Sequence, residues 1–211
     1  MKKCVLLASG GMDSTTLAYW LKKKEYEVYP LFVDYGQICA KTEFETLKEL
    51  LPNSIVQNLE TITINNLYKK SDSCFIYKRN LWETPTTADD LILPFRNLLL
   101  LTVGLSYANT LGIQEVFSAF INSNHAKEID CTADYFNNID AFIKQNSSQS
   151  IQMPFRFKTK YEVAQIGIKL DVPIGKTFSC QASDIIPCGA CPNCVDRIDA
   201  FKKISEEIIN D

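Results

Sequence analysis

This 211-residue chain has a single histidine, His125, and no run of apolar residues near the ~20 that a bilayer-spanning helix needs. A basic excess is also missing. Lys and Arg number 22 against 25 Asp and Glu, a formal net charge of -3, whereas non-specific nucleic-acid binding requires a basic footprint. Nothing near Met1 reads as an export signal, because Met1-Lys2-Lys3 runs straight into a strand pattern and no small-residue cleavage site follows a longer apolar region. The expected setting is cytoplasmic, with no membrane partner, so the eight cysteines read as thiols or metal ligands before disulfides. What remains, 46% hydrophobic and 22% charged residues, suits one sizeable α/β domain, or one domain with a small appendage.

The stretch Leu6-Leu7-Ala8-Ser9-Gly10-Gly11-Met12-Asp13-Ser14 organises the rest. Val5 to Ala8 has the composition of a buried parallel strand, and Ser14 to Lys22 carries 3.6-periodic, helix-forming residues. Two consecutive glycines let the intervening backbone approach a ligand, with successive N–H groups turned inward as an anion nest at a helix N-terminus. No lysine follows as a Walker loop demands. Instead there are hydroxyls at Ser9 and Ser14 and a carboxylate at Asp13, suited to Mg²⁺ beside a pyrophosphate. The alternative is a plain Gly-Gly turn capped by Ser14.

Downstream, Glu27 to Asp34 reads as a second buried strand despite Pro30, ending in the turn Asp34-Tyr35-Gly36-Gln37. A helix is expected over Lys41 to Leu51, a third strand over Ser54 to Leu59, and a long loop from Thr61 to Leu93. Arg96-Asn97 opens a helix that is apolar almost all round, Leu98 to Leu111, and so reads as buried. Arg96 suits a phosphate or carboxylate there, or a structural ion pair. Glu115 to Phe120 is a fourth strand, followed by a loop over Ile121 to Asp130, an amphipathic helix over Thr132 to Gln145, a fifth strand over Ile151 to Pro154 and a helix over Lys160 to Leu170. Alternation at these spacings implies a parallel sheet.

Cys188-Gly-Ala-Cys191-Pro-Asn-Cys194, with Cys180 eight residues earlier, can place four thiolates around Zn²⁺. The spacing also resembles an iron-sulfur run, and a disulfide pair is the third possibility. Zinc is favoured because the fourth ligand lies upstream across a loop, and Gly189 and Pro192 shape tight knuckles. The remaining cysteines read as small buried hydrophobes.

The S-G-G-x-D-S loop resembles the PP-loop of the ATP pyrophosphatase superfamily. Taken with Asp34-Tyr35-Gly36-Gln37, Arg96-Asn97, Lys160 with Glu162, Thr177-Phe-Ser-Cys180, the cysteine run and Arg197, the order is similar to that of the 7-cyano-7-deazaguanine synthase (QueC) family over residues 4 to 201. The resemblance implies a Rossmann-like, adenine nucleotide alpha hydrolase-like α/β fold, its parallel sheet of about five strands flanked by helices. Residues 1–175 would form the ATP-binding domain, and 176–211 a zinc knuckle with a C-terminal helix packed on it. It further implies ATP, Mg²⁺ and a structural zinc on Cys180, Cys188, Cys191 and Cys194, and commonly a homodimer. Nucleotide contacts fall to Ala8, Ser9, Gly10, Gly11, Met12, Asp13, Ser14, Thr15, Asp34, Tyr35, Gln37, Arg96 and Asn97, with Asp13, Lys160 and Arg96 in catalysis.

The activity so implied is a ligase's: 7-carboxy-7-deazaguanine is adenylated by ATP and condensed with ammonia, and a second adenylation yields the nitrile. One region departs. Where the family has D-x-S-G-Y-P-D-C-R, this chain reads Asn124-His125-Ala126-Lys127-Glu128-Ile129-Asp130-Cys131-Thr132, and Phe95 replaces a glycine before Arg-Asn. That altered stretch keeps a second reading open, an antiphage-defence paralogue that joins the same acid to a protein amine. It also leaves His125 between a general base and an exposed loop residue. A third reading, a zinc-knuckle nucleic-acid binder, fits poorly with a pI of about 5.3.

Overall fold

Short apolar runs separated by helices fold into one parallel sheet covered on both faces. The computed structural model describes residues 1–83, 90, 92–121 and 132–210, the side chains of 208 and 210 excepted. Among these the first half comprises β1 (Lys3–Leu7), α1 (Met12–Lys23), β2 (Glu27–Asp34), α2 (Ala40–Leu50), α3 (Asn53–Val56) and β3 (Glu60–Thr63). The second half comprises α4 (Arg96–Thr110), β4 (Glu115–Phe117), α5 (Ala133–Asn146), β5 (Ser150–Gln152), α6 (Lys160–Lys169) and α7 (Pro192–Asn210). The strands pair in the order β3-β2-β1-β4-β5, all parallel. The chain thus starts in the middle, winds outward, then returns to the other side of β1. That reversal opens a crevice at the carboxyl ends of β1 and β4.

Alternation along β1 feeds both faces. Cys4 and Leu6 join Leu17, Leu21, Val28, Phe32 and Leu47 on one side. Val5 and Leu7 join Leu31, Val33, Leu101, Val116 and Phe136 on the other. With both faces covered, the strand reads as an unbroken apolar run. Pro30 is accommodated within β2 for a local reason. Leu31 O accepts from the Ala8 N–H at 3.0 Å and so faces β1, which turns position 30 the other way. There β3 has not begun, since its pairing starts at Leu31 opposite Glu60.

Three expectations are corrected. Residues 54–59 do not form the third strand; Pro52 opens the short helix α3, and the strand follows at Glu60–Thr63 as an edge with Ile62 its least exposed side chain. α4 is one-sided rather than buried all round, with Asn97, Leu101, Gly104 and Ala108 inward and Leu98 exposed. β4 ends at Phe117, three residues early: the Ser118 N–H still donates to Gln152 O of β5 at 3.0 Å, and 118–121 line the crevice. The loop of residues 122–131, with His125, Asp130 and Cys131, lies outside the described residues. Thr132 caps α5, its hydroxyl accepting from the Tyr135 N–H at 3.2 Å. No helix among the described residues is long and apolar enough to cross a membrane.

Candidate functional site

The crevice holds a cavity of about 230 Å³. Its walls come from the β1–α1 loop, the end of β2, the starts of α4 and α6, the end of β4 and the start of α7. Of the residues expected at a nucleotide site, Ala8, Ser9, Gly11, Asp13, Ser14, Tyr35, Gln37, Arg96, Asn97 and Lys160 line it. Gly10, Met12, Thr15 and Asp34 do not line it and act from behind. Met12 is buried in a small core with Ala164, Ala200 and Ile204, and Thr15 is fully buried. Asp34 accepts the Gly36 N–H at 2.9 Å, shaping the turn after β2.

The two glycines do different work. Gly10 has φ +71°, and a Cβ there would stand 2.5 Å from Glu43 O and 3.0 Å from Leu47 N, so α2 packs directly on the bare backbone. Gly11 has φ -71° and caps α1 with no side chain on its first turn. That leaves the amide end of the helix, with its partial positive charge, toward the cavity. The loop is braced inside by the Ser9 N–H donating to Ser14 Oγ at 3.2 Å, and the Ser14 hydroxyl donating to Gly11 O at 3.2 Å. It is braced outside by residues just before Cys180: the Phe178 N–H donates to Gly10 O at 3.1 Å, and Ser179 Oγ accepts from Met12 N at 3.4 Å.

Two cations converge on the cavity. Lys160 Nζ lies 2.5 Å from Asp13 Oδ2, with the lysine buried to 9% exposure. It opens α6 behind a capping box in which Thr159 Oγ1 accepts from Glu162 N at 3.2 Å and the Glu162 carboxylate accepts from Thr159 N at 2.7 Å. The other Asp13 oxygen is buried without a hydrogen-bond partner among the described residues, a vacant acceptor that suits a divalent cation. Arg96 stacks on Phe75, its guanidinium carbon 4.7 Å from the ring centroid. The residue before it, Phe95, sits at φ 59°, ψ 14°, the left-handed region where a glycine carries no penalty.

Sequence reasoning missed Glu43, Ser118, Gln181, Asn193 and Asp196, all on the cavity wall. Glu43 is an ordinary helix glutamate by sequence. Yet burial pushes its carboxyl up to about 7 even though Gln37, Cys39 and Arg96 favour the charged form. The last three belong to the cysteine segment, which therefore forms part of the wall.

The four expected thiols meet: the Sγ atoms of Cys180, Cys188, Cys191 and Cys194 all lie within 4.8 Å of one another. A tetrahedral zinc with ~2.3 Å bonds needs sulfurs ~3.8 Å apart, so a small contraction closes the site. Backbone amides already point at the sulfurs: Cys188 N to Cys180 Sγ at 3.3 Å, and Ala190 N and Cys191 N to Cys188 Sγ at 3.5 and 3.3 Å. Hydrogen bonds from the Cys180, Cys191 and Cys194 thiols and the Ala190 N–H hold Cys188 well below the usual cysteine range. The donor set fits zinc. Arg197 ties α7 to the same segment, donating to Thr177 Oγ1 at 2.5 Å and to Ile174 O at 2.8 Å.

A parallel sheet with a glycine nest after its first strand, a paired Asp-Lys beside that nest and a cysteine cluster against it defines a PP-loop α/β protein. Comparison with known proteins goes further. The family model described as "Queuosine biosynthesis protein QueC" matches residues 3–205, and the chain belongs to that family. A 7-cyano-7-deazaguanine synthase of Methanospirillum hungatei is 32% identical over 215 residues, covering 96% of each chain. One of Clostridium kluyveri is 29% identical over 218 residues, 96% of this chain and 94% of the relative. Among solved structures, a 4-thiouridine synthetase–RNA complex with bound ATP aligns with 99% of this chain and 52% of its own at a TM-score of 0.51 and 13% identity, a likeness of fold.

Proposed function

We propose that the protein is an ATP-dependent ligase that converts 7-carboxy-7-deazaguanine and ammonia to 7-cyano-7-deazaguanine, releasing AMP and pyrophosphate. The observation that carries this reading is the convergence, at one sheet edge, of helix-terminal amides, Arg96 and the Lys160–Asp13 pair. The acid's carboxylate oxygen attacks the α-phosphorus of ATP, and pyrophosphate leaves. Ammonia then attacks the acyl carbon, AMP leaves, and a proton is lost. The amide oxygen then attacks the α-phosphorus of a second ATP, releasing pyrophosphate, and loss of AMP and of both amide N–H protons gives the nitrile.

Each adenylation brings an oxygen nucleophile against an anionic triphosphate, so positive charge must offset the repulsion. The loop amides over 9–14 cradle phosphates, while Lys160 and Arg96 stabilise charge at the transferring group. Asp13 would hold Mg²⁺, which supplies charge neutralisation on the phosphates. Lys160 keeps Asp13 oriented and its negative charge balanced before ATP arrives. Zinc on the four cysteines would be structural, because four protein ligands leave no open position. Residues 176–211 then act as a knuckle unit that braces the loop of the 1–175 unit, and the family resemblance supports a homodimer.

The test is AMP formation that depends on both the acid and ammonium, with the nitrile seen by mass spectrometry. AMP without nitrile would reject the assignment. The departure at 124–132 favours one competing acceptor, a protein amine. In that case a partner protein incubated with ATP and the acid gains the deazaguanine acyl mass, and ammonium has no effect on AMP release.

A further inference from the structure

Gln37 lines the cavity, yet its amide is engaged inside the protein. Oε1 accepts from the Tyr35 N–H at 2.9 Å, and Nε2 donates to Val33 O at 3.2 Å and to Glu43 Oε2 at 3.1 Å. What this network presents to the cavity is the Glu43 carboxyl, carried on the first turn of α2. α2 in turn is fixed by its backbone contact with Gly10. Building on the use of ATP proposed above, we propose that the Glu43 carboxyl, held by Gln37, is the side chain that reads the adenine edge of the nucleotide. Its O–H donates to the ring nitrogen, and its carbonyl oxygen accepts from the 6-amino group.

Place and chemistry both support this. β2 and β4 flank β1 on opposite sides, so a nucleotide whose phosphates rest in the loop after β1 extends its base over one of them. The β2 side offers the end of the strand, from Leu31 to Val33, and Tyr35, beside which a flat ring can lie, with Glu43 as its carboxyl. The end of β4, residues 118–121, is left for the acceptor. The groups facing Glu43 are Gln37, Cys39, Arg96, Asp34 and Tyr35. Burial in their midst brings the carboxyl to about 7, and an arriving polyphosphate favours the neutral acid further. A neutral acid carries a donor and an acceptor side by side, the complement of adenine's ring nitrogen and amine. A carboxylate carries acceptors alone and would face a lone pair.

Equilibrium binding of ATP and of purine riboside triphosphate, which lacks the 6-amino group, to the metal-loaded full chain tests the idea without the acid present. The wild type should prefer ATP about tenfold, the worth of one hydrogen bond in a desolvated site. Glu43→Leu should bring that preference close to unity. Glu43→Gln, whose amide also offers a donor and an acceptor, should retain it. Measured against Glu43→Gln in parallel, so that the phosphates' own ionisation cancels, wild-type affinity for ATP should fall about tenfold from pH 6 to pH 8. An unchanged preference in Glu43→Leu, or equal weakening of both nucleotides, would overturn the assignment while leaving the ligase reading intact. A wild-type chain that binds neither nucleotide would remove both.

Discussion

Substituting the two loop glycines separately distinguishes a fold role from a binding role. In Gly10→Ala the new residue must hold φ +71°, which costs about 1–2 kcal/mol for an L-residue. Its Cβ also meets Glu43 O at 2.5 Å and Leu47 N at 3.0 Å, backbone atoms that yield only if α2 moves. Overpacking of this kind adds about 1–3 kcal/mol. For a chain of this size the combined loss corresponds to a fall of about 5–15 °C in Tm. In Gly11→Ala the Cβ meets Ser9 Oγ at 3.4 Å and Phe178 O at 3.6 Å, ordinary contacts at an allowed φ, so Tm should change by no more than about 2 °C. Gly11 itself lines the cavity with Ser9, whose Oγ the new methyl touches, so in the phosphate cradle proposed above affinity for ATP should drop at least about tenfold. Thermal unfolding by circular dichroism and ATP titration by calorimetry read the two effects. Equal destabilisation by both substitutions, or a Gly11→Ala chain that binds ATP normally, would refute the division of labour.

Lys160→Met removes the partner of Asp13 and, on the proposed mechanism, a cation at the transferring group; AMP formation in single-turnover assays should fall about 10²–10³-fold, with a Tm cost of a few degrees. Phe95→Gly relieves a left-handed residue that is 71% exposed, and should raise stability by about 1 kcal/mol in urea titration. Glu43 titrates near 7 when folded against the ordinary 4.5, so between those values the folded chain holds the extra proton and stability declines as pH rises through 7. Glu43→Gln should therefore gain on wild type by up to about 3 kcal/mol at pH 8 and by little at pH 4.5, as read by Tm across the range. Chelating the metal should release about one zinc per chain to a colorimetric dye and weaken ATP binding, since Phe178 and Ser179 adjoin Cys180 and brace the loop; Ser179→Ala should retain the zinc yet weaken ATP.

How far the sequence could be read depended on whether the signal was local. β1, α1, β2 and α2 stand within two residues of where their patterns put them, because each is a buried run or an amphipathic stretch closed by its own turn. The four zinc-type ligands were legible for the same reason: the spacing is itself the geometry. β3 was misplaced by several residues because an edge strand such as Glu-Thr-Ile-Thr hides little from water, so periodicity has nothing to register. The leucine-rich face of α4 misled in the opposite sense, since composition without a polar stripe cannot say which side is covered. Glu43 shows the deeper limit. Its chemistry comes from neighbours far apart in sequence: Gly10, which lets α2 approach, and Arg96, which shares its cavity. Nothing in the residues around Glu43 distinguishes it from Glu45, two positions on, which is exposed. A carboxyl offers a donor beside its acceptor only when desolvation keeps its proton on near neutral pH, and desolvation is a property of the assembled crevice. Motifs therefore mark the loop after β1 and the cysteine cluster, while the protonation of a carboxyl such as Glu43 resides in tertiary placement.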